Sequence, residues 1–272
     1  MRLNLNRLDY TTLIGLVIAG VAIAGGLLLE GGSLYDLAQW AAALIVLGGT
    51  IGAVLLQTPL KTLKRACLRL RQVVIEPQLN PVQLIDEIVS FSILARRSKL
   101  LSLEDEAEAA SHPFLSSGLS MAVDGIKLPD IRKALELEIT LEEERARTDA
   151  RVFESAGGYA PTIGILGAVL GLIQVMKNLS NTDQVGHGIA TAFVATIYGV
   201  GFANLLFLPL ANKIKSRAAT EAAMKELMLE GISAIAEGIN PKLIRPRLEA
   251  FIPMQDRSPA RKLGEQKREA AA

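Results

Sequence analysis

One cysteine, Cys67, and two histidines, His112 and His187, stand among the 272 residues. A disulfide framework within the chain and a thiolate metal cluster are thereby excluded, and a histidine-built metal site is disfavoured. Aromatic residues make up only 4% of the chain. The net charge is +1, from 29 basic and 28 acidic residues, too even a balance for a nucleic-acid binder that works by neutralising phosphates. No nucleophile–base pair, phosphate-binding loop or metal cluster can be read, so neither an enzyme nor a bound cofactor is expected. Strand patterns and internal repeats are missing too.

Charge is absent from four long stretches, residues 10–29, 37–60, 155–176 and 188–212. Each reaches the roughly 20 residues a helix needs to cross hydrocarbon. Their hydrophobicity runs all round the helix instead of along one stripe, which buried helices of a soluble protein do not require. Mean hydropathy is +0.33, carried by Leu, Ile, Val, Ala and Gly as in bilayer helices. The first stretch is too long for the apolar core of a cleaved signal peptide. The chain is expected to be an all-α integral membrane protein with four transmembrane helices.

The spans pair into two hairpins. The loops at 30–36 and 177–187 hold one basic residue, Lys177. The opposite flanks hold thirteen: Arg2, Arg7, Lys61, Lys64, Arg65, Arg69, Arg71, Arg145, Arg147, Arg151, Lys213, Lys215 and Arg217. The positive-inside rule places both termini and the middle region in the cytoplasm. The expected organisation is spans one and two in 1–60, a large helical cytoplasmic region in 61–154, spans three and four in 155–212, and a cytoplasmic helix and tail in 213–272. Asn80-Pro81 and Asn240-Pro241 read as N-caps followed by proline at the first helical position. Residues 130–154 read as a helix running directly into the third span. The tail after about residue 255 reads as disordered.

Without Asp, Glu, Lys or Arg at depth, the spans lack the usual proton relay. Their polar groups include Thr50, Thr162, Gln174, Thr191, Thr196, Tyr198 and Asn204, and tyrosine titrates too high to shuttle protons easily. If protons cross here, the carboxylate comes from a partner; otherwise the chain is a scaffold. Small residues are abundant. Gly48/Gly52 and Gly167/Gly171 are GxxxG pairs, and Gly164 precedes the second; such faces pack helices within a hairpin or between subunits. Pro161 and Pro209 interrupt the third and fourth spans, giving either static shape or a hinge.

Several segments resemble the MotA/PomA flagellar stator subunits, of the MotA/TolQ/ExbB superfamily. They are Leu47-Gly48-Gly49-Thr50-Ile51-Gly52-Ala53, Ala160-Pro161-Thr162-Ile163-Gly164-Ile165-Leu166-Gly167, and Thr196-Ile197-Tyr198-Gly199 with Ala203-Asn204 and Pro209. Ala95-Arg96-Arg97-Ser98-Lys99-Leu100-Leu101-Ser102-Leu103-Glu104 is similar to the family's loop motif, and Glu237-Gly238-Ile239-Asn240-Pro241-Lys242-Leu243-Ile244 to its C-terminal motif. Five motifs fall in register with four spans.

The resemblance implies a pentameric ring in the bacterial inner membrane, around a MotB-type partner whose transmembrane Asp is the ion carrier. Ion flow would turn the ring against the rotor protein FliG, which serves motility and chemotaxis. Arg96 and Glu104 match rotor-facing charges, with Arg97 beside them; eight residues apart, they share a face if their helix is continuous. Thr196 matches a threonine of the ion path. Ala168 stands where sodium-driven members carry a second threonine, which implies H⁺ over Na⁺. Pro161 and Pro209 match the family's membrane prolines, favouring the hinge. Two features depart from the pattern: Lys99 stands where the family usually has Gly, and Ala41-Ala42 replace a Pro-Ser pair. The alternative is an ExbB/TolQ-like energiser of outer-membrane processes.

Overall fold

A computed structural model of the chain describes residues 9–74 and 80–252. The tail expected to be disordered lies outside them. Every regular element among the described residues is helical. Helix α1 is Tyr10–Leu29, capped by Asp9, whose carboxylate accepts from the Thr12 N–H at 3.1 Å. The chain turns through Gly31 at φ 80°, then through a 3₁₀ turn, Leu34–Leu37, that opens with a Ser33/Asp36 capping box. Helix α2 is Trp40–Gln57. Thr58 and Pro59 then lead into α3, Leu60–Val74.

The following elements are α4, Pro81–Ser98, a 3₁₀ turn Leu100–Leu103, α5, Glu104–Glu108, and α6, Pro113–Val123. Helix α7 is Leu128–Lys177, α8 is Thr182–Ala236, and α9 is Pro241–Leu248. Asn80 and Asn240 do cap α4 and α9, each accepting from an amide of the first turn with proline at the start. Four helices, α1, α2, α7 and α8, are long and apolar enough to span a bilayer. The run 130–154 is part of the 50-residue α7 and continues without a break into the third span.

The chain divides into two units. The first takes residues 1–77 and 145–217, the second 78–144 and 218–272, so the cut falls within α7 and within α8. The first unit holds the spans. At its α3 end, Val54, Ala66, Val73, Ala150, Phe153, Ala211 and Ile214 form one core. Ala42, Val46, Val194 and Ala195 form a smaller one between α2 and α8. Helix α1 has no buried residue.

The second unit is organised like a water-soluble domain. Ile85, Ile88, Leu115, Leu119, Ile131, Leu135, Leu227, Met228 and Ile232 pack in one cluster, each full burial contributing about 1.5–3 kcal/mol. Ion pairs rim it: Arg132 meets Glu230 at 2.9 Å, Arg247 also reaches Glu230, and Arg245 reaches Asp86. Lys225, only 5% exposed, is neutralised by Glu142 and Glu138, with its ammonium 5.4 Å from the Phe114 ring centre. His112 caps α6, its Nδ1 accepting from the Phe114 N–H at 3.1 Å. Burial pushes this imidazole below its ordinary pKa and Lys225 adds to the shift, against the pull of Glu221, Glu142 and Glu138.

Candidate functional site: the α7–α8 hairpin

Helices α7 and α8 approach so closely because glycines line their contact. A Cβ at Gly164 would lie 2.8 Å from the Ala195 carbonyl oxygen and 3.1 Å from Gly199 Cα. One at Gly199 would lie 2.5 Å from the Ala160 oxygen. At Gly167 it would meet Ala195 Cβ at 2.8 Å, and at Gly171 the Gly188 oxygen at 2.8 Å. Real Cβ atoms do not approach so near, so the hairpin requires these glycines. The second-span pair behaves differently. Gly52 has no neighbour within 4 Å, and Gly48 meets only Leu44 of its own helix. Instead Gly49 faces α7, with Ile163 Cγ2 at 2.8 Å from its would-be Cβ.

Gly167 against Ala195 puts their chain neighbours Ala168 and Thr196 at one depth, within about a turn. Both are partly exposed, so this level of the hairpin is open on one side. The Thr196 hydroxyl donates to the Ala192 carbonyl at 3.2 Å. Thr50, Thr162 and Thr191 likewise donate to carbonyls three or four residues back, and Asn204 Nδ2 to Val200. Back-bonding satisfies each donor in an apolar medium and leaves hydroxyl lone pairs facing outward as acceptors. The Tyr198 hydroxyl donates to the Leu37 carbonyl, tying α8 to the 3₁₀ turn that precedes α2. These groups can accept hydrogen bonds, and no Asp, Glu, Lys or Arg stands among them. Where α7 turns into α8, an open cleft of about 490 Å³ is lined by Gln174, Asn181, Asp183, Gln184 and His187.

The two prolines lie at different levels of the hairpin, Pro161 against Gly199 and Pro209 next to Leu208, which lies against Gly157. Pro161 cannot donate to the Gly157 carbonyl, and at Gly157 a Cβ would lie 2.7 Å from Leu208 Cδ2, next to Pro209. Pro209 cannot donate to the carbonyl of residue 205, and α8 takes a π-turn over Ala203–Phe207 at that point. The wider turn absorbs the missing bond. A second π-turn, Leu44–Gly48, lies in α2.

Two buried ionic nodes escaped the sequence reading. Asp149 is fully buried and accepts from Arg65 Nε and Arg69 Nε, both at 2.6 Å. Asp9, 8% exposed, pairs with Lys213 and with Arg217 at 2.8 Å. Burial pushes the Asp9 carboxyl up, but hydrogen bonds from Lys213, Thr11 and the Thr12 amide, with the Lys213 charge, hold it well below the usual carboxylate range. Arg65, Arg69, Lys213 and Arg217, which signal orientation, are therefore also the partners of these buried acids. A signal was present: Asp149 is the one acid among Arg145, Arg147 and Arg151, and Asp9 the one acid before the first uncharged run.

Arg96, Arg97 and Glu104 are exposed, without an ion-pair partner among the described residues. The helix between them is not continuous. It ends at Ser98, Lys99 adopts φ 70° and ψ 166°, and a 3₁₀ turn precedes Glu104. Helical spacing therefore does not put Arg96 and Glu104 on one face. The Lys99 conformation is one that only glycine adopts without cost, which is the physical meaning of glycine at this position in the family motif.

Comparison with known proteins agrees with this architecture. Residues 106–249 match the model of the MotA/TolQ/ExbB proton channel family, and residues 13–100 that of the motility protein A N-terminal region. Motility protein A of Bacillus subtilis is 41% identical over 92% of this chain and 93% of its own length. Chemotaxis protein PomA of Vibrio alginolyticus is 30% identical over 90% and 96%. Among solved structures, the C. jejuni MotAB chain superposes with a TM-score of 0.87 at 32% identity, covering 90% of this chain and 96% of that one. The chain of the flagellar MotAB stator complex from Bacillus subtilis gives 0.85 at 41%, covering 90% and 97%. Matched over nine-tenths of its length by motility proteins and by stator chains of the same fold, this chain belongs to the MotA/TolQ/ExbB proton channel family.

Proposed function

We propose that the chain is the channel-side stator subunit of a bacterial flagellar motor, working with a MotB-type partner to couple proton flow to torque. One observation carries this reading: four apolar spans in the stator fold with no titratable acid or base at depth. Such a body forms the wall of an ion path and leaves the carrier to another polypeptide. The partner's transmembrane Asp would load a proton opposite the open level at Thr196 and Ala168. Thr196 offers lone pairs there, while Ala168 offers none, and a single hydroxyl level is poor compensation for sodium's water shell. Protons are the coupling ion on this reading.

Several copies of the chain, five by the family resemblance, surround the partner. The exposed faces of α1 and α2, with Gly48 and Gly52, supply subunit or lipid contacts. The breaks in helical hydrogen bonding at Pro161 and Pro209 act as the hinge. Basic flanks hold both termini and the second unit in the cytoplasm, where Arg96, Arg97 and Glu104 engage FliG by exposed pairs worth about 0–1 kcal/mol each, weak enough to make and break rapidly. The energiser reading has less support, because 13–100 match a motility-specific model.

The test is complementation. In cells lacking their own stator, the chain and its partner should restore swimming that a protonophore abolishes and that does not change with sodium. Charge reversal at Arg96 or Glu104 should lower torque with assembly intact. Swimming that tracks sodium would overturn the ion assignment, and full torque in both reversals would overturn the rotor contact.

A further inference from the structure

Helix α3 carries Lys61, Lys64, Arg65, Arg69 and Arg71 and no acid in fifteen residues. Its inner side is occupied. Ala66 and Val73 are buried, Leu63 and Leu70 pack on the same core, and Arg65 and Arg69 hold Asp149. At about 100° per residue, Leu60, Lys61, Lys64, Cys67 and Leu68 fall on the opposite arc, roughly 120° wide. All five are exposed, Leu60 by 75% and Leu68 by 67%. Lys61 and Lys64 have no ion-pair partner among the described residues, so their charges are not consumed inside the first unit as those of Arg65 and Arg69 are.

Only Thr58 and Pro59 separate this arc from the end of α2. If α2 crosses the bilayer, α3 begins where hydrocarbon gives way to headgroups. At that depth, interleaved leucines and lysines suit a layered medium: the leucines reach the acyl boundary, and the lysine stems extend outward to place ammonium groups among phosphates. The face combines two exposed leucines with two lysines that have no ion-pair partner among the described residues, a mixture that suits the boundary between acyl chains and headgroups. We propose that this face of α3 lies in the inner-leaflet headgroup layer and binds anionic phospholipid, with Lys61 and Lys64 on the phosphates and Leu60 and Leu68 as anchors. The inference depends on α2 spanning the membrane and not on which machine the chain serves, so a failed motility test leaves it standing.

Cys67, the chain's single cysteine, lies on the same arc and reports on it. The chain and a cysteine-free partner are reconstituted in phosphatidylcholine vesicles with and without phosphatidylglycerol, with a fluorophore on Cys67. Headgroup-spin-labelled phosphatidylglycerol should quench it more strongly than equally labelled phosphatidylcholine, by at most about fivefold per lysine. Lys61→Gln with Lys64→Gln should make the two lipids equivalent. Equal quenching in the unsubstituted protein overturns the proposal. Quenching by aqueous iodide alone does so too, as does oxidation that joins Cys67 of two copies, which would show a second copy on this face.

Discussion

A single methyl group at Gly199 should separate the two halves of the hairpin. The new Cβ would lie 2.5 Å from the Ala160 carbonyl oxygen, where 3.4 Å is the start of ordinary contact. The deficit is about 0.9 Å, and the obstructing atoms are backbone, including Pro161 Cα at 3.2 Å, so no side chain can rotate away. Overpacking of this kind costs about 1–3 kcal/mol, offset by up to about 1 kcal/mol of gain from replacing glycine inside a helix. Gly158→Ala is the control, since it lies in α7 with nothing of this chain within 4 Å and keeps only the gain. In thermal melting of the detergent-solubilised complex, Gly199→Ala should melt several degrees below the parent, at about 2–4 °C per kcal/mol, and should lose ion flux. A Gly199→Ala protein as stable and active as the parent would refute the close-packing account.

Asp149→Leu should destabilise the first unit by about 3 kcal/mol, because Arg69 loses its buried counter-charge; melting with and without a compensating Arg69→Met checks this, and the double variant should recover part of the loss. His112 has its pKa lowered below 6.5 in the fold, so the folded state prefers the neutral ring. Its contribution is complete above pH 6.5 and is lost as pH falls through and below that value. Protection of the α6 amides, taken relative to the intrinsic exchange rate at each pH, should therefore fall on acidification, and His112→Asn, a cap that does not titrate, should flatten the profile. Lys99→Gly should relieve about 1–3 kcal/mol of backbone strain and slow exchange of the Ser102 amide, which donates to the Lys99 carbonyl at 3.2 Å. Lys99→Ala, which removes the charge but keeps the strain, should not.

What the sequence disclosed was what local chemistry decides. Uncharged runs of spanning length mark the four spans, and asparagine followed by proline marks the starts of α4 and α9. Continuous helix formers carry α7 from Leu128 into the membrane. Facing was harder to read. GxxxG spacing at Gly48/Gly52 identifies a small patch but not its partner, and within this chain it is Gly49 that meets α7. Close approach at Gly199 is a property of two helices together, invisible in either alone. The Arg96 and Glu104 spacing presumed a helix that Lys99 ends, because one residue in a glycine-type conformation outweighs strong helix formers around it. The nodes at Asp9 and Asp149 join residues 80 to 208 positions apart, and a run of basic residues does not show which of them has a buried acid waiting.

On the proposed function, this chain walls an ion path without supplying the carrier. Proton flux into vesicles under an imposed potential tests it directly, using the chain alone, with its partner freed of any periplasmic plug, and with that partner's transmembrane Asp changed to Asn. Flux with the intact pair, and none in the other two preparations, is the expected result. Protons carried by the chain alone, or undiminished flux through the Asn-bearing pair, would contradict it.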